Sequence, residues 1–258
     1  MKKLVAVLSL ILGACAQQPT ESGNTGNTGS SGPDSEIQQR ARAFTDLATA
    51  YFERAQYKIA LDELRKAIIA DPRFGPAYNV YGMVYMELAE DKLAEENFRR
   101  ALELDRKDSV AHNNYGWFLC TRGRYDEGLA QFTVAIQNPL YTAPEQAMAN
   151  AGICAEMKGD LALAEANLTR ALKLQPDNPK ALIKLAGLNY RQGKYNETQR
   201  LLTRYNQVAP PTAESLWLNL RLERKQGDRA QEAAYGLQLR KRFPDSEEAR
   251  RLQAGQYE

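Results

Sequence analysis

The chain has one histidine and three cysteines among its 258 residues, and this scarcity limits the chemistry it can perform. The single histidine, His112, stands where a helix would carry an aromatic residue, so packing is its expected role. No Ser/His/Asp or Cys/His catalytic set can be assembled around it there. The cysteines and His112 also lack the spacing of zinc ligands. We therefore predict a protein that is not an enzyme and that needs no metal and no cofactor.

Three further absences narrow the class of protein. The longest apolar run, Leu4–Leu12, is far shorter than the roughly 20 residues that cross a bilayer as a helix. The glycine-rich segment 23–32 contains no lysine and is not placed between a strand and a helix, so it is not a phosphate loop. Basic and acidic residues nearly balance, at 34 and 32, which gives no basic field for nucleic acid. These absences favour a binding protein whose partner is another protein, rather than a nucleic acid or a small-molecule substrate.

The first 14 residues have the composition of a secretory signal peptide. Basic residues at Lys2 and Lys3 precede the apolar run, and small residues follow it before Cys15. The sequence Leu12-Gly13-Ala14-Cys15 resembles the lipobox of bacterial lipoproteins. That resemblance implies cleavage before Cys15 and covalent attachment of lipid, including palmitate, to this residue. Removal of the leader would leave 32 basic and 32 acidic residues, a formally neutral mature protein.

The residues after Cys15 predict both a tether and a location. Residue 16 is alanine, not the aspartate that favours inner-membrane retention in enterobacterial lipoproteins, so we expect a lipid anchor on the periplasmic face of the outer membrane. Residues 15–36 include a stretch of Gly, Asn, Thr and Ser with nothing apolar to bury, which is typical of a flexible linker. About twenty such residues reach roughly 25 Å on average.

A 34-residue period runs through the remainder of the chain. Pro176, Pro210 and Pro244 are 34 residues apart, and Gly159, Gly193 and Gly227 keep the same interval. Each period contains two stretches of about a dozen residues with apolar positions at i, i+3, i+4 and i+7, which predicts two amphipathic helices. Repeats of this length predict a stacked array of helix pairs. The predicted repeats are 41–74, 75–108, 109–142, 145–178, 179–212 and 213–246, with residues 143–144 as an insertion.

The residues inside each period resemble the tetratricopeptide repeat (TPR), whose pattern is W-x2-L-G-x2-Y, then A-x3-F, then Pro. Matching positions include Gly82, Gly116 and Gly152 in first helices and the small or aromatic residues Ala94, Phe98, Ala101, Phe132 and Ala171 in second helices. The resemblance implies an all-α fold, a right-handed superhelical solenoid of six TPR helix pairs. We expect a TPR domain over 37–254, closed by a capping helix after Pro244. The sixth repeat is irregular, and a shifted second helix there would bury Ala233, Ala234 and Leu237. We also expect Thr142 and Glu145 to form a capping box.

Two cysteines remain once Cys15 carries lipid. Cys120 and Cys154 lie on the first helices of adjacent repeats, and an oxidising periplasm would permit a disulfide between them. Neighbouring helix axes are roughly 8–10 Å apart, however, whereas the Cα atoms of a disulfide are about 4.4–6.8 Å apart. This comparison favours two buried, unbridged thiols, although the bridge remains open at this point.

First helices line the concave wall in TPR folds, which places a row of candidate contact residues there. Phe52, Met83, Met86 and Trp117 make the early part of this wall apolar, and Arg221, Arg224 and Lys225 make its end basic. Such a stripe predicts a groove for an apolar or amphipathic segment, unless a tight superhelix packs these side chains on one another. The lysine–asparagine clamp of chaperone-tail-binding repeats does not appear. The candidate groove residues are Phe52, Met83, Met86, Asn113, Trp117, Ile153 and Tyr190.

A more specific resemblance covers most of residues 40–250. Residues 113–119, 123–127, 138–141, 234–239 and 243–244 resemble the PilF/PilW family of type IV pilus lipoproteins. This resemblance implies a pilotin, a protein that escorts a secretin subunit to the outer membrane and promotes multimerisation of the secretin ring during pilus biogenesis. The family is thought to engage the secretin mainly through its early repeats. The alternative is a TPR lipoprotein scaffold for another envelope complex, serving outer-membrane protein assembly or adapting a cell-wall enzyme.

Overall fold

The computed structural model describes residues 33–257, and these residues form thirteen α-helices joined by short connections. The predicted signal peptide 1–14, Cys15 and the tether up to residue 32 lie outside the described residues. The helices are α1 Pro33–Glu53, α2 Tyr57–Ala70, α3 Gly75–Glu87, α4 Asp91–Leu104, α5 Ser109–Thr121, α6 Tyr125–Gln137, α7 Pro144–Lys158, α8 Leu161–Leu174, α9 Pro179–Arg191, α10 Tyr195–Val208, α11 Ala213–Gln226, α12 Arg229–Arg242 and α13 Glu247–Gln253.

The helix boundaries follow the 34-residue period. Helices α3, α5, α9 and α11 begin at the first residue of their predicted repeats, and α7 begins one residue early, at Pro144. Helix α1 begins at Pro33, so residues 33–36, which were assigned to the tether, are helical. Proline is well suited to the first turn of a helix because the missing N–H has no intrahelical partner there. The prediction of an all-α TPR solenoid is confirmed.

The helices are arranged in two layers. Each odd-numbered helix from α1 to α9 packs against the next odd-numbered helix, and α9 reaches α11 in the same way. Within residues 33–257, no two even-numbered helices of neighbouring repeats contact each other. The odd-numbered helices therefore form one continuous wall, here called the inner wall, and the even-numbered helices splay apart on the outside.

Glycines in the inner helices bring the two helices of a repeat together. A Cβ atom on Gly82 would lie 2.7 Å from ring carbons of Phe98, and one on Gly152 would lie 2.7 Å from Cγ of Leu168. Both distances are too short for carbon atoms in contact, so only glycine fits without movement of the outer helix. Phe98 and Leu168 are fully buried against these glycines. The spacing of glycines and large apolar residues in the sequence thus translates directly into close helix packing.

Cys120 and Cys154 form a disulfide between α5 and α7, so the prediction of unbridged thiols was wrong. Their Cα atoms are 5.6 Å apart. The prediction compared the Cα–Cα distance that a disulfide requires with the distance between neighbouring helix axes. Each Cα lies about 2.3 Å from its helix axis, so Cα atoms on facing sides are closer than the axes by about 4–5 Å. Small neighbours, Ala147 and Ala151, complete the buried contact around the bridge.

The predicted capping box of Thr142 and Glu145 was also wrong. Helix α7 has Ala143 as its N-cap with no side-chain hydrogen bond, because Pro144 takes the first helical position and leaves Thr142 one residue too far out. The reciprocal capping box occurs instead at α11, between Thr212 and Ser215.

The sixth repeat keeps the regular frame, in contrast to the predicted shift. Gly236 and Leu239 are the buried residues of α12, whereas Ala233, Ala234 and Leu237 are exposed. A Cβ atom on Gly236 would lie 3.3 Å from Leu220 and 3.4 Å from Leu252, so this position is the contact point of α12 with α11 and α13. The irregular residues therefore change the surface of the repeat and not its packing.

Helix α13 covers the end of the array as predicted. Ser246 caps it by accepting a hydrogen bond from the backbone N–H of Ala249, at 3.1 Å. Ala249 and Leu252 pack on the cluster that contains Leu239 and Trp217. A final repeat needs such a cover because no further repeat buries its apolar face. None of the helices in the described part of the chain combines the length and the apolar character needed to cross a membrane.

Candidate partner-binding groove

The seven predicted groove residues all lie on odd-numbered helices, and therefore on the inner wall. Phe52 is at the end of α1, and the other six are distributed over four successive inner helices. Met83 and Met86 are on α3, Asn113 and Trp117 on α5, Ile153 on α7 and Tyr190 on α9.

Burial divides these seven residues into two groups. Phe52, Met83, Met86 and Trp117 are half-buried, and we call these four the N-terminal apolar patch. Asn113, Ile153 and Tyr190 are buried, with exposed fractions of 7%, 8% and 6%. The expectation of an open groove is thus not met at these three positions. There the alternative applies, in which side chains of the inner wall pack on one another.

The N-terminal apolar patch rests on the cores of the first three repeats. The ring of Phe52 lies 6.1 Å from that of Tyr57, measured between centroids. Met83 and Met86 pack against the cluster of Phe98 and Phe118. Methionine adapts to irregular partners because its side chain is unbranched and polarisable. The patch is therefore a supported, half-exposed apolar surface.

A chain of asparagine side chains runs along the middle of the inner wall. Asn150 donates to Oδ1 of Asn113 at 3.0 Å, and Asn113 donates to Oδ1 of Asn114 at 3.1 Å. Asn114 in turn donates to Oδ1 of Asn79 at 3.2 Å and to Sδ of Met83 at 3.3 Å. These bonds connect α3, α5 and α7 and satisfy amides that the wall would otherwise bury without partners.

Lys180 is the last member of this series of side-chain hydrogen bonds. Its ammonium donates to Oδ1 of Asn150 at 3.2 Å and lies 5.5 Å from the centroid of the Trp117 ring. Burial, assisted by the nearby Lys184 ammonium, lowers the pKa of Lys180 below its usual value. Lys180 also lines a cavity of about 300 Å³ between α7 and α9, together with Gln146 and Asn178. The wall thus changes here from apolar to polar and cationic.

Sequence reasoning missed Asn114 and Asn150 as members of the inner wall. Both residues occupy the sixth position of their predicted repeats, and Asn114 directly follows the predicted groove residue Asn113. Their recurrence at the same repeat position was the available signal. Asparagine in the middle of a helix has a low intrinsic preference for that place, so its repetition indicates a specific hydrogen-bonding role.

His112 is held in the packing between α5 and α6. Its Nδ1 lies 2.6 Å from Oε1 of Gln131 and its Nε2 lies 3.0 Å from the backbone oxygen of Arg106. The ring is only 9% exposed. Both ring nitrogens therefore have structural partners, which is the arrangement expected of a histidine that fills an aromatic packing position.

The repeats and the two-layer arrangement define a tetratricopeptide-repeat solenoid. Tetratricopeptide-repeat models match residues 75–108, 97–130 and 156–222. A curated relative, the type IV pilus assembly protein PilF of Pseudomonas aeruginosa, is 29% identical over 212 residues, which cover 82% of this chain and 84% of the relative.

Two solved structures align with nearly the whole described chain. The PilF structure of Pseudomonas aeruginosa shares 30% identity and a TM-score of 0.76, and the alignment covers 85% of this chain and 99% of that one. The structure of PilW, a widely conserved type IV pilus biogenesis factor, shares 33% identity and a TM-score of 0.74, with 83% and 98% covered. The chain belongs to the PilF/PilW family of tetratricopeptide-repeat proteins.

Proposed function

We propose that this protein is a pilotin, an outer-membrane lipoprotein that binds the type IV pilus secretin and promotes its localisation and multimerisation in the outer membrane. The observation that carries the proposal is the similarity to PilF and PilW along the entire repeat array, since both are described as type IV pilus assembly or biogenesis proteins. The lipobox-like sequence before Cys15 supports the anchored location.

The N-terminal apolar patch is the proposed contact surface for the secretin. Its residues are half-exposed and supported from below by buried rings, so a partner can cover them without unfolding the repeats. Removal of apolar surface from water contributes about 25 cal/mol per Å². A hydrophobic or amphipathic segment of the secretin subunit is the ligand that such a patch would recognise.

A double substitution tests the contact surface. Phe52→Asp with Met86→Asp places two charges in the patch, so we expect at least a tenfold loss of secretin co-purification from detergent-solubilised envelopes. The matched control is Ile69→Asp with Leu140→Asp, which makes the same chemical change at side chains that are 75% and 85% exposed. Helicity and melting temperature are measured for both pairs by circular dichroism.

Phe52 also packs on the first repeat, so a milder pair, Phe52→Ser with Met86→Gln, separates folding from binding. If either folded patch variant captures secretin as well as the control pair does, this surface is not the contact.

Deletion of the gene tests the function itself. Normal secretin multimers in the outer membrane of the deletion strain would contradict the pilotin role. Co-purification of an outer-membrane assembly factor or a cell-wall enzyme in place of secretin would favour the scaffold alternative.

The lipid anchor has a separate test. Cys15→Ser removes the proposed acceptor of the acyl chains, and several buried chains anchor a protein firmly at about 0.8 kcal/mol per methylene. We expect the variant to leave the envelope pellet and appear in the soluble periplasmic fraction. Gln18→Ser is the control, because it changes a nearby residue of the predicted tether and leaves Cys15 and the disulfide in place. A Cys15→Ser protein that still sediments with outer-membrane vesicles would contradict lipid anchoring.

A further inference from the structure

A second surface of the inner wall has a chemistry unlike that of the N-terminal apolar patch. A cleft of about 430 Å³ lies between α9, α11, the start of α12 and the segment after α13. This volume is within the range of roughly 300–1,000 Å³ that is typical of ligand-binding clefts. The residues that line it are Tyr190, Arg221, Arg224, Lys225, Arg229, Gly255 and Tyr257. We call it the C-terminal basic cleft.

Aromatic rings hold two guanidinium groups in this cleft. The guanidinium of Arg221 lies 4.4 Å from the centroid of the Tyr190 ring, and that of Arg224 lies 3.8 Å from that of Tyr257. Stacking on a ring restricts the planar group while its N–H edges remain available to hydrogen-bond acceptors. Nε of Arg221 is buried and has no hydrogen-bond partner within the described residues. An unpaired buried donor is costly, so a bound acceptor would be favoured here.

The charges around the cleft do not balance. Glu232 accepts from Arg224 at 2.7 Å and from Arg229 at 2.8 Å, which accounts for two of the four cations. Burial alone would raise the pKa of Glu232, but these two hydrogen bonds outweigh it and lower the pKa, so the carboxylate is ionised. Arg221 and Lys225 have no carboxylate partner in residues 33–257. Within the described part of the chain, the cleft therefore carries an excess of positive charge.

Among residues 33–257, the two acidic residues closest in sequence to the basic residues of the cleft do not neutralise this excess. Glu223 is buried, with an exposed fraction of 9%, and burial raises the pKa of its carboxyl group. Asp228 is the N-cap of α12, where its carboxylate accepts from the backbone N–H groups of Ala230 and Gln231. The remaining imbalance calls for an anionic ligand.

We infer that the C-terminal basic cleft binds an acidic segment of a polypeptide, with a carboxylate seated on Arg221 and Lys225 and the segment's other side chains against Tyr190 and Tyr257. Arginine clusters recognise acidic motifs in this way through charge-assisted hydrogen bonds. A polypeptide fits better than a membrane surface because the cleft is recessed and continues the inner wall, to which Tyr190 belongs. The inference does not depend on the identity of the partner that covers the N-terminal apolar patch.

Fluorescence polarisation with the full chain in detergent tests this inference. The probe is a fluorescein-labelled hexapeptide of alternating glutamate and aspartate, and the reference is the same peptide made of glutamine and asparagine. We expect binding of the acidic probe only, with an affinity that falls as salt rises from about 50 to 500 mM. Arg221→Gln with Lys225→Gln should weaken binding at least tenfold. The control pair, Arg200→Gln with Lys241→Gln, removes the same charge from exposed positions outside the cleft and should change binding less than twofold.

Arg221 contributes to packing, so Lys225→Glu provides a second variant at an exposed position. It reverses the charge without altering the stacked rings and should also weaken binding at least tenfold. Equal binding by the cleft variants and the control pair would overturn the inference. It would be overturned as well if inorganic phosphate or glycerol 3-phosphate displaced the peptide at peptide-equivalent concentration, since the cleft would then be a simple anion or headgroup site.

Discussion

The disulfide shows how much one pair of residues can constrain a repeat array. Cys120 and Cys154 are fully buried and lie 34 residues apart in adjacent inner helices. The bridge therefore adds a covalent link between two units that packing and the hydrogen bond from Asn150 to Asn113 already hold together. Gly128 in α6 is part of the same arrangement, because the sulfur of Cys120 occupies the space that a side chain there would need.

Removal of the bridge should cost a substantial part of the stability. The closed segment spans 34 residues, and the chain-entropy model for a loop of this size gives about 3–4 kcal/mol. We expect Cys120→Ala with Cys154→Ala to lower the free energy of unfolding by about this amount in urea titrations. A reducing agent should destabilise the wild-type protein and leave the double variant unchanged. A loss below about 0.5 kcal/mol would mean that the bridge constrains little.

At the scale of the element, the inner helices differ in how closely they approach their outer partners. Helix α3 contacts α4 through Gly82, where no side chain larger than hydrogen fits. Helix α9 also contains a glycine, Gly187, but a Cβ atom there would meet nothing within 4 Å. Gly82 is the eighth residue of its repeat and Gly187 the ninth, and the two glycines have different roles. The first permits close packing, whereas the second leaves a gap on the inner wall.

This difference predicts opposite effects of the same substitution. Gly82→Ala forces a carbon atom against the ring of Phe98 and should destabilise the protein by about 1–3 kcal/mol. Gly187→Ala fills open space in a helix interior and should stabilise it by about 0.5–1 kcal/mol, because alanine loses less backbone entropy on folding. Chemical denaturation of the two single variants measures both effects. Equal changes in the free energy of unfolding would contradict the packing described for α3.

At the scale of the whole molecule, ion pairs connect neighbouring repeats around the solenoid. Arg122 pairs with Asp91 at 2.7 Å, and Arg124 pairs with Glu95 at 2.9 Å. The hydrogen bond from Arg122 lowers the pKa of Asp91. For Glu95, burial alone would raise the pKa, but hydrogen bonds from Arg124 and Tyr115 outweigh it and lower the pKa. Carboxylates with a lowered pKa in the described residues are Asp91, Glu95, Glu127, Glu165 and Glu232.

These shifts predict that acid destabilises the array. A carboxylate whose pKa is lowered by folding contributes stability above its ordinary pKa, which is 3.8 for Asp91 and 4.5 for Glu95, and loses it as pH falls through the lower folded value. The contribution of Glu223 has the opposite sign, because burial raises the pKa of its carboxyl group. Five described carboxylates have a lowered pKa, so their combined effect is expected to dominate. We expect the melting temperature to fall steadily between about pH 5 and pH 3.

Arg124→Ala provides the matched test of this dependence. It removes the partner shared by Glu95 and Glu127, so the variant should be less stable near neutral pH and should show a shallower decline in acid. Arg200→Gln, at an exposed position, is the control for loss of one positive charge. Thermal melts followed by circular dichroism at several pH values measure both curves. A melting temperature that rises on acidification would contradict the assignment of these ion pairs.

The amino-acid sequence by itself determined the repeat length, the helix pairs and, to within one residue, where the inner helices of the second to sixth repeats begin. It could do so because glycine, proline and apolar spacing act locally, through helix termination and through the face that a helix must bury. The sequence also identified the inner helices as the place of the candidate groove, since all seven predicted residues lie on them.

Only the tertiary structure decided which of those residues a partner can reach. Asn113, Ile153 and Tyr190 became buried because the inner helices pack on one another, a distance that no local pattern encodes. The disulfide, the asparagine chain and the stacked arginines of the C-terminal basic cleft have the same origin. Each joins side chains about 30 or more residues apart, and their contact depends on how closely successive repeats approach in space.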